Sequence, residues 1–328
     1  MLEIIIDNRD GYVWNVSGIV SEATYKTSRL GKASTFDFTF IKRGWYEAKE
    51  FKYDVGDIVR VTMDGRNVFY GYIFTIDSGR DEEVRITAYD QLRYLMSNGY
   101  LGDTNVTATE VVKKIASKYE LKTGRLDDTK YKIPKIREDN VKLIDIICRA
   151  LTDTLIATNN NFVLYDDFGE LALRNVKDMV LDFSLGDTSL VFDYKQKRTI
   201  DNSYNQVILA QDNKKAGKRE VYIYRDSDTI KKWGLLQYFQ IVDDDMNKAQ
   251  INELLSNLIH LKNRVGQSFS IDAIGDIRVR AGCYISINIA ELGIDQYFLV
   301  DECVHKFDGA EHTMTLDLVD IRIGDKKV

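Results

Sequence analysis

Val55-Gly-Asp-Ile-Val-Arg-Val-Thr-Met63 runs into Asp64-Gly65 and then into Arg66-Asn-Val-Phe-Tyr-Gly-Tyr-Ile-Phe-Thr-Ile76. Val59, Val61 and Met63 alternate with Arg60 and Thr62, so one face is apolar and the other polar. A period of two is the mark of a half-buried strand. Asp-Gly between two such runs is a hairpin signal, because both residues tolerate the positive φ of a tight turn. Phe36, Phe38 and Phe40 alternate in the same way upstream, and Val84, Ile86 and Ala88 do so downstream. Short strands with turns between them predict a β-barrel or sandwich over residues 1–95.

The pattern returns near the end of the chain. Val55-Gly-Asp-Ile-Val-Arg-Val61 parallels Ala281-Gly-Cys-Tyr-Ile-Ser-Ile287. Phe69-Tyr-Gly-Tyr-Ile-Phe-Thr-Ile76 parallels Gln296-Tyr-Phe-Leu-Val-Asp-Glu-Cys303, and Glu83-Val-Arg-Ile-Thr-Ala-Tyr89 parallels His312-Thr-Met-Thr-Leu-Asp-Leu318. A duplication accounts for the echo, and so does β-patterning shared by unrelated strands. Under duplication each chain carries two related β-barrels, and three chains in a ring present six similar units.

Between the echoes the period changes. Asp90-Gln-Leu-Arg-Tyr-Leu-Met96 reads as a short helix closing the first unit. Thr107-Ala-Thr-Glu110 is a capping box ahead of Val111, Val112, Ile115, Ala116 and Tyr119 at helical spacing. A second helix is expected from about Asn140, burying Leu143, Ile144, Ile147, Leu151 and Leu155. Asn161–Tyr165 and Glu170–Arg174 flank Asp166-Asp-Phe-Gly169 as a hairpin. Residues 96–180 therefore form a small α+β domain. Residues 181–328 return to strands. Val207, Leu209, Val221 and Ile223 lie in β-like runs; the sets Phe269/Ile271/Ala273, Ile285/Ile287/Ile289 and Met314/Leu316/Leu318 each share a face. An inserted helix at about 245–264 carries Ile251, Leu254, Leu255, Leu258 and Leu261. The expected fold is α+β and β-rich: two related β-barrel domains with an intervening small α+β domain and helical insertions.

Composition bounds the function. The 328 residues are 44% hydrophobic and 29% charged, enough for a sizeable core. The formal charge of −6, with Lys and Arg interspersed among Asp and Glu, argues against sequence-specific nucleic-acid binding. No apolar run approaches the ~20 residues of a membrane span, so no stable membrane insertion is expected. Cys148, Cys283 and Cys303 show no short-range pairing, as for reduced thiols in a chain made in the bacterial cytoplasm. The stretch Met1–Asp7 lacks a basic region and a long apolar run, so no signal peptide is expected.

The search for chemistry yields no catalytic residue, no cofactor and no metal. His260 falls at a helix end. His305 and His312 flank a turn at Asp308-Gly309 with Asp301 and Glu302 nearby, but without an HxH or HxxxH spacing for metal. Asp243–Asp245 suit the N-terminus of the following helix. Asp166 and Asp167 suit a turn better than the paired carboxylates of a glycoside hydrolase. The Asp-Phe-Gly triplet lacks every other kinase element, and GxGxxG, GxxxxGK[ST] and GxSxG are missing.

Six segments stand out: Ala88-Tyr-Asp-Gln-Leu-Arg-Tyr-Leu95, Asp139-Asn-Val-Lys-Leu-Ile-Asp-Ile-Ile147, Leu164-Tyr-Asp-Asp-Phe-Gly-Glu-Leu171, Ser203-Tyr-Asn-Gln-Val207, Trp233-Gly-Leu-Leu-Gln237 and His305-Lys-Phe-Asp-Gly-Ala-Glu-His-Thr-Met314. Together they resemble the PBSX-type prophage family of baseplate hub proteins. They span nearly the whole chain in the family's order. The resemblance, which extends to R-type bacteriocins and late control protein D-like proteins, implies a non-enzymatic hub of a contractile tail. It implies a homotrimer that adapts the hexameric tail tube to the trimeric central spike and contacts other baseplate proteins. It further implies incorporation in a virion or tail-like particle released by lysis. The competing readings are a tail-associated cell-wall hydrolase and a carbohydrate-binding module using Trp14, Trp45 or Trp233.

Overall fold

The computed structural model describes residues 1–42, 50–80, 82–186, 191–213 and 217–320. The chain is 52% strand and 20% helix. The first segment contributes β1 (Leu2–Asp7), β2 (Val13–Asn15), β3 (Val20–Ser28), β4 (Thr35–Ile41), β5 (Ile58–Met63), β6 (Arg66–Ser78) and β7 (Glu83–Tyr89). A 3-10 turn, Gln91–Met96, leads into β8 (Asn98–Val106), α1 (Ala108–Lys118), β9 (Thr123–Leu126), β10 (Ile133–Lys142), α2 (Leu143–Thr158), β11 (Phe162–Asp166) and β12 (Leu171–Asn175). The remainder holds β13 (Val180–Gly186), β14 (Val191–Thr199), β15 (Gln206–Asn213), β16 (Lys218–Arg225), α3 (Ser227–Trp233), β17 (Gln237–Val242), α4 (Lys248–Lys262), β18 (Gly266–Ile274), β19 (Tyr284–Ile289), β20 (Ile294–Asp308) and β21 (Glu311–Val319).

Thirteen of these strands form one sheet. Its main path is β14-β18-β21-β20-β3-β4-β7-β6-β5-β1-β2, with β19 also on β20 and β13 on β19. Among the described residues the sheet closes no barrel. The sheet contains the same order twice once the β19–β13 branch is followed. The first unit runs β3-β4-β7-β6-β5-β1, and the second runs β14-β18-β21-β20-β19-β13. The echo in the sequence is thus an echo in topology.

The match extends to single hydrogen bonds. Gly56 and Gly282 have φ of +89° and +93°, a conformation that glycine adopts without steric cost. The Gly56 N–H donates to Ile73 O at 2.7 Å, and the Gly282 N–H donates to Val300 O at 2.8 Å. The return bonds, Ile73 N to Asp57 O and Val300 N to Cys283 O, are both 2.9 Å. Directly after them each long strand bulges, β6 between Ile73 and Thr75 and β20 between Val300 and Glu302. A bulge bends its strand, and here it marks where β6 passes from β5 to β7 and β20 from β19 to β21.

Each unit has its own core. Phe36, Phe38 and Phe40 of β4 are at most 2% exposed and pack with Ile4, Ile6, Val59, Val61, Phe69, Val84 and Ile86. The second core is aliphatic, with Ile271, Ile285, Ile287, Leu316 and Leu318 around the edge-to-face pair Phe269–Phe298. Burying each such side chain is worth ~1.5–3 kcal/mol. Phe307 of β20 belongs to the first core although its strand belongs to the second unit. It closes the β20–β3 seam, which runs antiparallel from Glu302↔Ser28 to Asp308↔Glu22.

The intervening segment builds a third core from α1, α2 and the β11–β12 hairpin. The predicted capping box is present: the Glu110 N–H donates to Thr107 Oγ1 at 3.1 Å, and the Thr107 N–H donates to Glu110 Oε2 at 2.7 Å. α2 starts at Leu143 rather than near Asn140, because Asp139–Lys142 still pair with β8. Between β14 and β18 sits a fourth core, in which α4 covers one face of the three-stranded sheet β16-β15-β17. Its cap corrects the sequence expectation. Asn247, not Asp243–Asp245, caps α4 in a box with Gln250. The Asp run is instead a loop whose carbonyls at Asp243 and Asp244 accept from the Gln211 amide.

Candidate assembly surfaces

The predicted chemistry-bearing residues fall into structural roles. Asp166 is 7% exposed. Its Oδ1 accepts from the Gly169 N–H at 2.7 Å, and its Oδ2 accepts from the Gln91 side-chain amide at 2.8 Å. Both oxygens are committed to holding the hairpin turn and the 3-10 turn together. Asp90 caps that turn, accepting from the Leu92 and Ser34 N–H groups at 2.9 and 3.0 Å. Burial, and then the charge of Asp166, push the Asp90 carboxyl well above the usual range, and burial raises Asp166 as well.

These acids lie beside the place where three segments meet. A cavity of about 110 Å³ is lined by Tyr25, Asn67, Asp166, Asp167, Ile277 and Arg280, among others. The Arg280 guanidinium stacks over the Tyr165 ring at 3.7 Å and donates to Asp166 O at 3.4 Å. Its Nε is buried without a protein partner. An arginine at this position ties the second unit to the intervening segment through a planar stack, which a lysine would not reproduce. Nothing in the sequence marks it, since one arginine in Val279-Arg280-Ala281 carries no spacing signal.

The histidines do come together, but as a packing device. The His305 Nε2–H donates to Val279 O at 2.9 Å, leaving Nδ1 to accept from His312 Nε2 at 3.0 Å. Tyr25 and Phe307 stack against the His305 ring. Burial holds His305 down at about 4, so it is neutral at pH 7. Asp301 and Glu302 point elsewhere. Asp301 pairs with Arg29 at 2.8 Å, and Glu302 pairs with Lys26 at 2.8 Å and Lys32 at 2.7 Å, all across the seam. Among the described residues no group of three or more His, Cys, Asp or Glu is placed to hold a metal ion. His260 is exposed in the last turn of α4.

Of the tryptophans, Trp14 is half-buried between the Tyr12 ring and the Phe51 edge and donates to Asn8 Oδ1 at 2.6 Å. Trp233 is partly exposed at the end of α3. Trp45 lies outside the described residues.

What the fold leaves open is strand edge and sheet face. Among the described residues β14 pairs as a strand only with β18, and β2 only with β1, so both ends of the long sheet are edges of the kind that template further pairing. The small sheet exposes the face opposite α4. Val221, Ile223, Phe239 and Ile241 on that face are each about half exposed.

This two-unit sheet with inserted domains is a fold shared with solved prophage and bacterial tail proteins. The structure aligns with the 43 kDa tail protein of prophage MuSo2 from Shewanella oneidensis at a TM-score of 0.71, over 96% of this chain and 98% of that one, at 14% identity. The chain itself belongs to the YQBQ-like family, whose model matches residues 23–319. It is 31% identical over 268 residues to the uncharacterized protein YqbQ of Bacillus subtilis strain 168, covering 81% of each. It is 30% identical to the phage-like element PBSX protein XkdQ of the same strain, over 81% of this chain and 82% of that protein.

Proposed function

We propose that the chain is a structural, non-enzymatic hub of a phage-like tail, incorporated in the particle with other baseplate proteins. The observation that carries this reading is the pair of equivalent six-strand units joined at the β20–β3 seam. One chain offers two similar segments, and three chains offer six. A threefold ring of this kind meets a trimeric spike on one side and a hexameric tube on the other. In this reading residues 1–95 and 181–328 are the two tube-like domains, and 96–180 is the domain between them. Each open unit completes a barrel-like wall only against its neighbours. The relatives support the setting, since one is a protein of a phage-like element and the similar structure is a prophage tail protein.

The test is native mass measurement of the purified chain alone, with the spike protein and with the tube protein. A trimer is expected in the assembled state. A chain that stays monomeric and ignores both partners overturns the hub assignment.

A further inference from the structure

The small sheet beside α4 has a construction that its own fold does not use. In register, Val221 of β16 lies opposite Ala210 of β15, which lies opposite Ile241 of β17; Ile223, Ile208 and Phe239 form the next row. Directly opposed residues share a face, so these six side chains make one apolar band. The band is framed by polar rows. At one end Arg219 pairs with Asp212 through two hydrogen bonds of 2.6 and 2.9 Å. At the other, Arg225 donates to Gln206, whose amide donates to Gln237 at 2.7 Å. An apolar centre with a satisfied polar rim is the anatomy of a protein interface.

The band ends on an open edge. Among the described residues β16 pairs only with β15, and seven of its eight residues are exposed, with Tyr222 intermediate. The central Val221-Tyr-Ile-Tyr224 has no charge, glycine or proline to discourage pairing, unlike most protected edges.

A second copy is a poor occupant. Centred antiparallel pairing of two β16 strands sets Lys218 opposite Arg225 at both ends, and like charges directly opposed are destabilising. Four half-exposed side chains supply on the order of a few hundred Å² of apolar surface, short of the ~800 Å² per partner of a stable dimer. Arg219 is already matched by Asp212, but Lys218 and Arg225 stand one at each end of the strand, and Glu220 already accepts from the Tyr222 hydroxyl at 2.9 Å, so the ends of the edge are basic.

We propose that β16 is a docking edge that takes an extended segment of another protein as a fourth strand, apolar at alternating positions and acidic at its ends. Main-chain hydrogen bonds along the edge supply affinity, and the apolar band with its basic ends supplies register and choice. The proposal stands apart from the hub reading, since neither threefold symmetry nor the spike enters it.

The test uses the full chain and two synthetic peptides of alternating valine and threonine, one flanked by glutamates and one by lysines. Hydrogen exchange of residues 218–225 and peptide affinity are the readouts. The glutamate-flanked peptide is expected to protect the β16 amides and to bind at least ten-fold tighter than the lysine-flanked one. Ile223→Lys, an exposed site whose thermal midpoint should hold, is expected to weaken binding ten-fold or more. Lys218→Glu with Arg225→Glu is expected to reverse the peptide preference. Failure of both peptides to protect β16, unchanged binding by Ile223→Lys, or concentration-dependent self-association that protects β16 in the absence of peptide would each overturn the proposal.

Discussion

The two six-strand units share strand order, bulge and glycine turn, yet they differ wherever something outside the unit must be met. In the first unit the last strand, β1, is antiparallel to β5; in the second its counterpart, β13, is parallel to β19. The first unit spends the open edge of β3 on β20, whereas among the described residues no strand pairs with β14 on that side. The link between β3 and β4 is six residues long, while the matching link from β14 to β18 holds a complete sheet-and-helix insertion. The lesson is that the hydrogen-bonded skeleton of a repeated unit is the same where local geometry demands it, while edges and connections differ. Divergent edges make the two units non-interchangeable.

The largest effect is expected at the seam. Phe307→Ala removes a 6%-exposed ring that the second unit lends to the core of the first. A loss of ~3–5 kcal/mol is expected in denaturant unfolding, in the range of buried aromatic truncations. A loss below ~1 kcal/mol would mean that the units are energetically independent.

The paired glycines sharpen the comparison. Gly56→Ala meets nothing within 4 Å, so its cost is the left-handed backbone alone, about 1–2 kcal/mol. Gly282→Ala has the same backbone strain, but its new Cβ would sit 2.9 Å from Val163 Cγ1 of the intervening segment. Overpacking adds ~1–3 kcal/mol, so Gly282→Ala is expected to be the more damaging. Equal midpoints in a urea titration would contradict this contact.

The next difference is titratable. By the register of the echo, His305 corresponds to Ser78, so only the second unit carries a buried imidazole. His305 titrates at about 4 when folded and near 6.5 when unfolded. Between those values the unfolded chain binds more protons, so this group makes stability rise with pH and adds no slope above about 6.5. Asp90 and Asp166 act with the opposite sign, since their raised folded values make stability fall as pH climbs from about 4. Between about pH 4 and 6.5 the measured slope of stability against pH is expected to be lower in His305→Phe than in the parent, by up to ~1.4 kcal/mol per pH unit, whatever the sign of the net slope that the two acids leave. Identical slopes would place the titration elsewhere.

The smallest effect is expected at the rim of the seam. Asp301→Asn breaks the pair with Arg29, whose side chain is 11% exposed against 39% for Asp301. A cost under ~1 kcal/mol that fades in high salt is expected; a larger, salt-insensitive cost would make the pair a structural lock.

By itself the sequence determined the strands with clear alternation but not β8–β10 or β13–β14, the capping box at Thr107, the three helices that bury an apolar stripe, and the echo, because period, cap and turn chemistry act within a few residues. It also indicated that Asp166 belongs to a turn. The tertiary structure alone decided three things. It set the Asp run at 243–245 in a loop and gave the cap of α4 to Asn247, since capping depends on which residue leaves the helix in extended conformation. It showed Val221 and Ile223, identical in pattern to buried strand residues, facing solvent at an edge, because alternation says which residues share a face but not whether anything covers it. And it joined β20 to β3 across 274 residues, from Ser28 to Glu302, a pairing encoded only in the shape of two edges that meet once both units have folded.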